Sequence, residues 1–205
     1  MSMPSLLSQA PGQPDEPVFP LTLDGYHALV QAGVYTEDDP VEFLEGWLVP
    51  KMPRKPSHSS ATRILRELIR QLLGPGYFVD SQDAVTTTDS EPEPDVYVVR
   101  GKMAEYTTRH PTHSETPLVA EVADTTLSRD RGMKLRIYAR AGIPVYWIVN
   151  LVDGSVEVRW QPSGPVKSPK YAQLATYRPG DEIPVVIDGK QIGLIPVADI
   201  LGQSV

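Results

Sequence analysis

Residues 117–123 read PLVAEVA, an apolar run with one carboxylate, Glu121, inside it. An unbroken apolar run suits a strand covered on both faces. An acid within such a strand is costly unless a metal ion or a basic partner compensates it. Residues 145–150, VYWIVN, form a second run of the same kind. The segment between them reads as a helix. Thr125 or Thr126 can cap it, Gly142 supplies a left-handed stop near Ala141, and Pro144 prevents continuation. Met133, Ile137 and Ala141 make one stripe on that helix, with Leu135 and Tyr138 beside it. Asp130, Lys134 and Tyr138, four apart, share another face.

Upstream, EPEPDVYVV at 91–99 places Asp95 after a proline and at the head of a third apolar run, Asp95–Val99. Two acids on neighbouring strands, Asp95 and Glu121, with Lys134 on the following helix, can build a site for a divalent metal and a phosphate. Mg²⁺ or Mn²⁺ takes hard oxygen ligands of this kind, and the main-chain carbonyl of Val122 is a natural further ligand. Such an ion lowers the pKa of a bound water and stabilises charge developing in attack at phosphorus. Lys134 could orient the water or neutralise the extra charge. A buried Glu121–Lys134 ion pair serving structure alone fits the same spacing.

Composition narrows the classes. The 205 residues fit one domain with an extension, and the absence of cysteine excludes disulfides, thiolate metal sites and cysteine nucleophiles. A formal net charge of -7 argues against indiscriminate coating of nucleic acid, though not against an enzyme with a local basic surface. One such surface is suggested by residues 129–140, where five basic residues meet one acid. No apolar run reaches spanning length and no secretory leader is legible, so a cytoplasmic protein without membrane contact is expected.

The remaining chain reads as scaffold. Residues 1–20, with five prolines, are expected to be a flexible arm, and 21–205 the single domain. A short helix capped by Thr22 or Asp24 ends at Gly33, and residues 41–52 form a hairpin turning at Glu45-Gly46. Glu42 in that hairpin is a candidate acid, although spacing alone favours a solvated strand residue. Ser57 is the expected cap of the first long helix, whose apolar face is Ala61, Ile64, Leu65, Leu68 and Leu72 and whose stop is Gly74-Pro75-Gly76. On its polar side Arg63, Arg66 and Arg70 read as a solvated row or a phosphate-facing one. His58 in its first turn reads as a cap or surface group. Strands follow at Tyr77–Asp80 and Ala84–Thr88, then a polar loop over Arg100–Thr116 containing His110 and His113. After the second buried run come a hairpin through Asp153-Gly154, a proline- and serine-rich loop over 161–170, and strands at Tyr171–Tyr177 and Ile183–Ile187. The fold class is therefore α/β, a mixed central sheet flanked by helices with extra β-hairpins.

Several stretches carry a family likeness: EFLEG at 42–46, PSHS at 56–59, EPEPD at 91–95, EVADTTLSRDRGMKLRIYARAGIP at 121–144 and VYWIVNL at 145–151. Taken in order over roughly residues 20–200, they resemble the bacterial Uma-two family of restriction-type endonucleases, within the PD-(D/E)xK nuclease superfamily. The resemblance implies a restriction-endonuclease-like core and an Mg²⁺- or Mn²⁺-dependent endonuclease acting on duplex DNA as a homodimer. It matches Pro94-Asp95 to the PD element and Glu121 to the second acid. The motif's lysine position is Ala123 here, and Lys134 on the next helix is the candidate to replace it. Asp130 would position Lys134, and Glu42 would be an accessory acid of the metal site. A non-catalytic interaction module on a nuclease scaffold is the alternative.

Overall fold

The structure, a computed structural model, describes residues 19–36 and 39–202, so the proposed arm at 1–20 lies almost wholly outside the described residues. A short helix α1 (Leu23–Gln31) is capped by the Thr22 side chain, which accepts from Gly25 N. The hairpin forms as the sequence indicates, from β1 (Val41–Leu44) and β2 (Trp47–Pro50), turning through Glu45 and Gly46 at positive φ. Helix α2 (Pro56–Leu72) begins two residues earlier than expected. Lys55 is its N-cap, without a side-chain cap bond, and Pro56 opens the first turn, where a missing N–H costs nothing. Its buried residues are Ala61, Thr62, Leu65 and Ile69, so the covered face is rotated toward Ile69 relative to the expected stripe.

Six strands form the central sheet in the order β3 (Tyr77–Asp80), β4 (Val96–Arg100), β5 (Leu118–Ala123), β6 (Val145–Asn150), β7 (Ser155–Pro162), β8 (Tyr171–Tyr177). All neighbours are antiparallel except β5 and β6, which run parallel with Glu121 opposite Ile148. A parallel pair needs a crossover, and here that is the helical segment 127–141. Both β5 and β6 are buried along their whole length, as their unbroken apolar runs require. One face of the sheet packs Leu118, Ala120, Val122 and Trp147 against α2 and against a second hairpin, β9 (Glu182–Ile187) with β10 (Lys190–Pro196), closed by the short α5 (Val197–Ile200). On the other face Tyr97, Val119, Tyr146 and Ile148 pack against Ile137 and Tyr138 of the crossover. The fold is thus mixed α/β with helices flanking a mixed sheet. No helix among the described residues is long and apolar enough to cross a membrane.

Two expectations change. Ala84–Thr88 is not a strand: Val85 N donates to Pro92 O, Thr86 N to Pro111 O and Thr87 N to Ser90 O. Three partners in three directions, with Pro92 and Pro94 unable to donate, prevent a ladder. The crossover is not one α-helix either. It comprises α3 (Leu127–Arg129), a π-helical stretch Asp130–Lys134 and α4 (Leu135–Ala141). It ends as expected, on Gly142 at φ 75.

A Cβ at Gly142 would meet no atom within 4 Å, so replacement there acts through backbone strain alone. Gly142→Ala is expected to lower unfolding free energy by about 1 kcal/mol in urea titration. An unchanged midpoint would show that the helix stop does not depend on the left-handed residue.

Candidate active site

The acids and the lysine converge at one edge of the sheet's second face. β5 carries Glu121 on the side of Val119 and Ala123, and Asp95 stands immediately before β4. The π-helical stretch brings Asp130 and Lys134 over them, β1 adds Glu42, and the first turn of α2 adds His58. These six residues line one pocket, with Lys51, Arg54 and Arg129 also on its wall.

Lys134 is at the centre. Its Nζ donates to Glu121 Oε1 at 2.9 Å and lies 3.0 Å from Glu42 Oε2. The Tyr138 hydroxyl donates to the same Glu121 oxygen at 2.5 Å. Lys134 and Tyr138 therefore share a face and a target, as their spacing predicts. Asp95 Oδ2 accepts from Val122 N at 2.8 Å and sits 3.1 Å from His58 Nε2. Asp130 Oδ2 accepts from the Thr126 hydroxyl at 2.6 Å, and its carbonyl takes the Tyr146 hydroxyl at 3.0 Å. Glu42 Oε2 also accepts from Glu93 N at 3.0 Å, tying the hairpin to the approach of β4.

Charge in this pocket is unbalanced. Glu42, Asp95, Glu121 and Asp130 are all buried, with Lys134 the buried cation among them. Burial pushes the Glu121 carboxyl well above the usual carboxylate range; Lys134 pulls it down, but Asp95, Asp130 and Glu42 add to the rise. Burial likewise raises Asp130, against Lys134 and the Thr126 hydroxyl. For Lys134 burial opposes the charge, but the pull of Glu121, Glu42 and Asp130 outweighs it and raises its pKa. The lysine is held as a cation in a site with acid to spare.

Hard oxygens in excess suit a divalent ion. Asp95 Oδ1 and Glu121 Oε2 take no hydrogen bond among the described residues, which leaves each acid one oxygen for a ligand. Among the described residues no three or more His, Asp or Glu side chains stand together in a group that could hold a metal ion, and Lys134 lies between Glu42 and Glu121.

Three sequence readings are corrected here. Glu42 is no solvated strand residue: it is 7% exposed and faces Lys134. His58 is no surface group: its side chain is 12% exposed and touches Asp95. Only the pairing of α2 with β4, distant in sequence, could reveal that. Nor is the basic run at 129–140 a patch of unpaired charge, although Arg131 and Arg136 are exposed. Arg131 pairs with Glu157, Arg136 with Glu45, and Arg140 with Glu45 and Asp89, while Arg129 donates to Pro50 O. His110 and His113 do not line the pocket. Ala123, at the motif's usual lysine position, is fully buried in the second core.

Comparison with known proteins gives the same direction. A family model described as "Uma2: Putative restriction endonuclease" matches residues 23–192. No curated protein matches. Among solved structures the chain is similar to "a putative nuclease belonging to DUF820" from Anabaena variabilis, with a TM-score of 0.68, 16% identity, and coverage of 90% of this chain and 99% of that one. At that identity the likeness concerns the fold.

Removing the buried cation should expose the charge imbalance. Lys134→Met is expected to cost roughly 3–5 kcal/mol at neutral pH, since it leaves buried acids uncompensated. The folded state then holds more protons than the unfolded one, so the loss shrinks as pH falls toward about 5. Tyr138→Phe, which removes one hydrogen bond, should cost about 1 kcal/mol. Urea unfolding across pH checks both; a pH-independent loss for Lys134→Met would contradict this electrostatic account.

Proposed function

The chain belongs to the Uma2 family, whose members are described as putative restriction endonucleases, and from that membership we propose that it is a metal-dependent endonuclease of the PD-(D/E)xK kind, cutting phosphodiester bonds in DNA. The observation that supports this reading most is the meeting of Asp95, Glu121 and Lys134 in one pocket, with Lys134 at 2.9 Å from Glu121. A merely structural ion pair needs one acid. Here Lys134 touches two buried acids, Glu121 and Glu42, and two more, Asp130 and Asp95, are buried in the same pocket, an excess of acid that favours a further cation.

Asp95, Glu121 and the Val122 carbonyl would hold Mg²⁺ or Mn²⁺. Bound there, such an ion supplies a water of lowered pKa and neutralises charge at the scissile phosphate. The chain's own residues do the rest. Val122 N and His58 hold one oxygen of Asp95, so its other oxygen keeps a fixed direction. Tyr138 does the same for Glu121. Lys134 keeps its proton and presents a positive charge beside the position where the pentavalent phosphorus gains charge. Asp130 and Glu42 hold Lys134 in that place. Arg54 and Arg129, on the pocket wall, supply positive charge for the DNA backbone. Duplex cutting calls for two such sites, hence a homodimer.

Purified protein is expected to nick and linearise plasmid DNA with Mn²⁺ or Mg²⁺ and not with a chelator present. Asp95→Asn and Glu121→Gln should each reduce cutting on the order of 100-fold or more while melting cooperatively. Cutting that survives both substitutions would remove the assignment. A protein that binds DNA, binds no Mn²⁺ and cuts nothing would instead be a non-catalytic module on this scaffold.

A further inference from the structure

Three residues on the wall of the acidic pocket, Lys51, Met52 and Arg54, come from one stretch, 51–55, which joins β2 to α2 and reads KMPRK. The stretch has no regular secondary structure, yet it is anchored at both ends. Lys51 N donates to Pro40 O at 2.8 Å, and the Lys51 ammonium lies 2.7 Å from Glu93. Arg129 holds the carbonyl of Pro50, just before the stretch, at 3.0 Å. At the far end Arg54 donates to the side-chain oxygen of Gln82 at 2.7 Å, and Lys55 to Asp124 at 3.0 Å. Between these anchors Met52 and Pro53 are exposed.

Met52 is 47% exposed and belongs to neither core. Among the described residues it is the one apolar side chain on the wall of a pocket otherwise lined by charged and polar groups. A thioether in that position gains nothing from its neighbours or from water. It gains when a partner covers it, and a flexible, polarizable methionine suits such a contact. The flanking cations state the partner's charge. Arg54 has a neutral amide for a partner, so its charge is undiminished. The pair of Lys55 with Asp124 leaves the lysine more than half exposed, and exposed pairs hold only weakly.

We infer that residues 51–55 are the loop that seats duplex DNA at the acidic pocket, with Arg54 and Lys55 on phosphates and Met52 entering a groove against the sugar and base edge beside the scissile phosphate. The inference rests on the nuclease reading for the partner being DNA. Apolar side chains, methionine and proline among them, are inserted between base steps by proteins whose basic groups hold the backbone alongside. A loop already anchored at both ends loses little freedom when it makes such a contact. The two kinds of side chain do different work. The cations release counterions from the phosphates, so they set the salt dependence of binding. Met52 adds a contact that does not depend on salt.

The test uses the full chain and a fluorescein-labelled duplex of about two helical turns, followed by anisotropy in chelator over a range of salt. Arg54→Gln and Lys55→Gln are each expected to make the slope of log affinity against log salt shallower by about one. Met52→Ser should weaken binding about tenfold with the slope unchanged, and Met52→Leu should restore it. All four residues replaced or retained here are at the surface, so melting temperatures should stay level. Unaltered binding by Met52→Ser, or no duplex binding by the unaltered protein, would overturn the inference. Plasmid incubated with Mn²⁺ separates the two ideas. Cutting that Met52→Ser leaves intact at limiting DNA removes the loop's role and keeps the nuclease; binding that depends on Met52 without any cutting keeps the loop's role and removes the nuclease.

Discussion

A single ammonium group, Lys134 Nζ, sits buried between Glu121 and Glu42 with Asp95 and Asp130 close by. Burying any one of these charges alone would be prohibitive. Together they are tolerable only when β1, β5 and the π-helical stretch stand in their observed relation, because each supplies one of the groups. The sheet fixes the acids rigidly: Glu121 is locked into the β5–β6 ladder, and Asp95 is pinned by the Val122 N–H. The lysine comes from the crossover, so the parallel connection that completes the sheet also completes the site.

The hairpin is held to that crossover by a clasp. Glu45 at the β1–β2 turn pairs with both Arg136 and Arg140 of α4, and Arg140 reaches Asp89 as well. These contacts keep Glu42 against Lys134. They also explain a stretch so rich in basic residues: in an acidic chain it fastens surrounding elements to the helix. The positive charge left for a polyanion is local, at Arg54 and Arg129 on the pocket wall.

Much of this was legible in the sequence, for physical reasons that can be named. Residues 118–123 and 145–150 read as strands buried on both faces because nothing polar but Glu121 interrupts them until Asn150. Lys134 and Tyr138 read as one face because helical spacing survives even where the backbone widens to a π-turn. Glu42, His58 and the ion pairs of the basic run were hidden for a common reason. Their environments are made by elements far away in the chain, and neither periodicity nor turn chemistry reports which strand a helix will cover. Residues 84–88 show the converse, strand-like composition overridden by prolines and by partners pointing in different directions.

The central claim is that the excess of buried acid exists to hold a divalent ion between Asp95 and Glu121, with Lys134 beside it. Anomalous diffraction from crystals of the protein soaked in Mn²⁺ tests it directly. The account predicts one Mn²⁺ bound by oxygens of both Asp95 and Glu121, with the Lys134 ammonium still within hydrogen-bonding reach of the site. Crystals with no Mn²⁺ at these acids, and Lys134 still bridging Glu42 and Glu121, would contradict it and leave the cluster a structural ion-pair network.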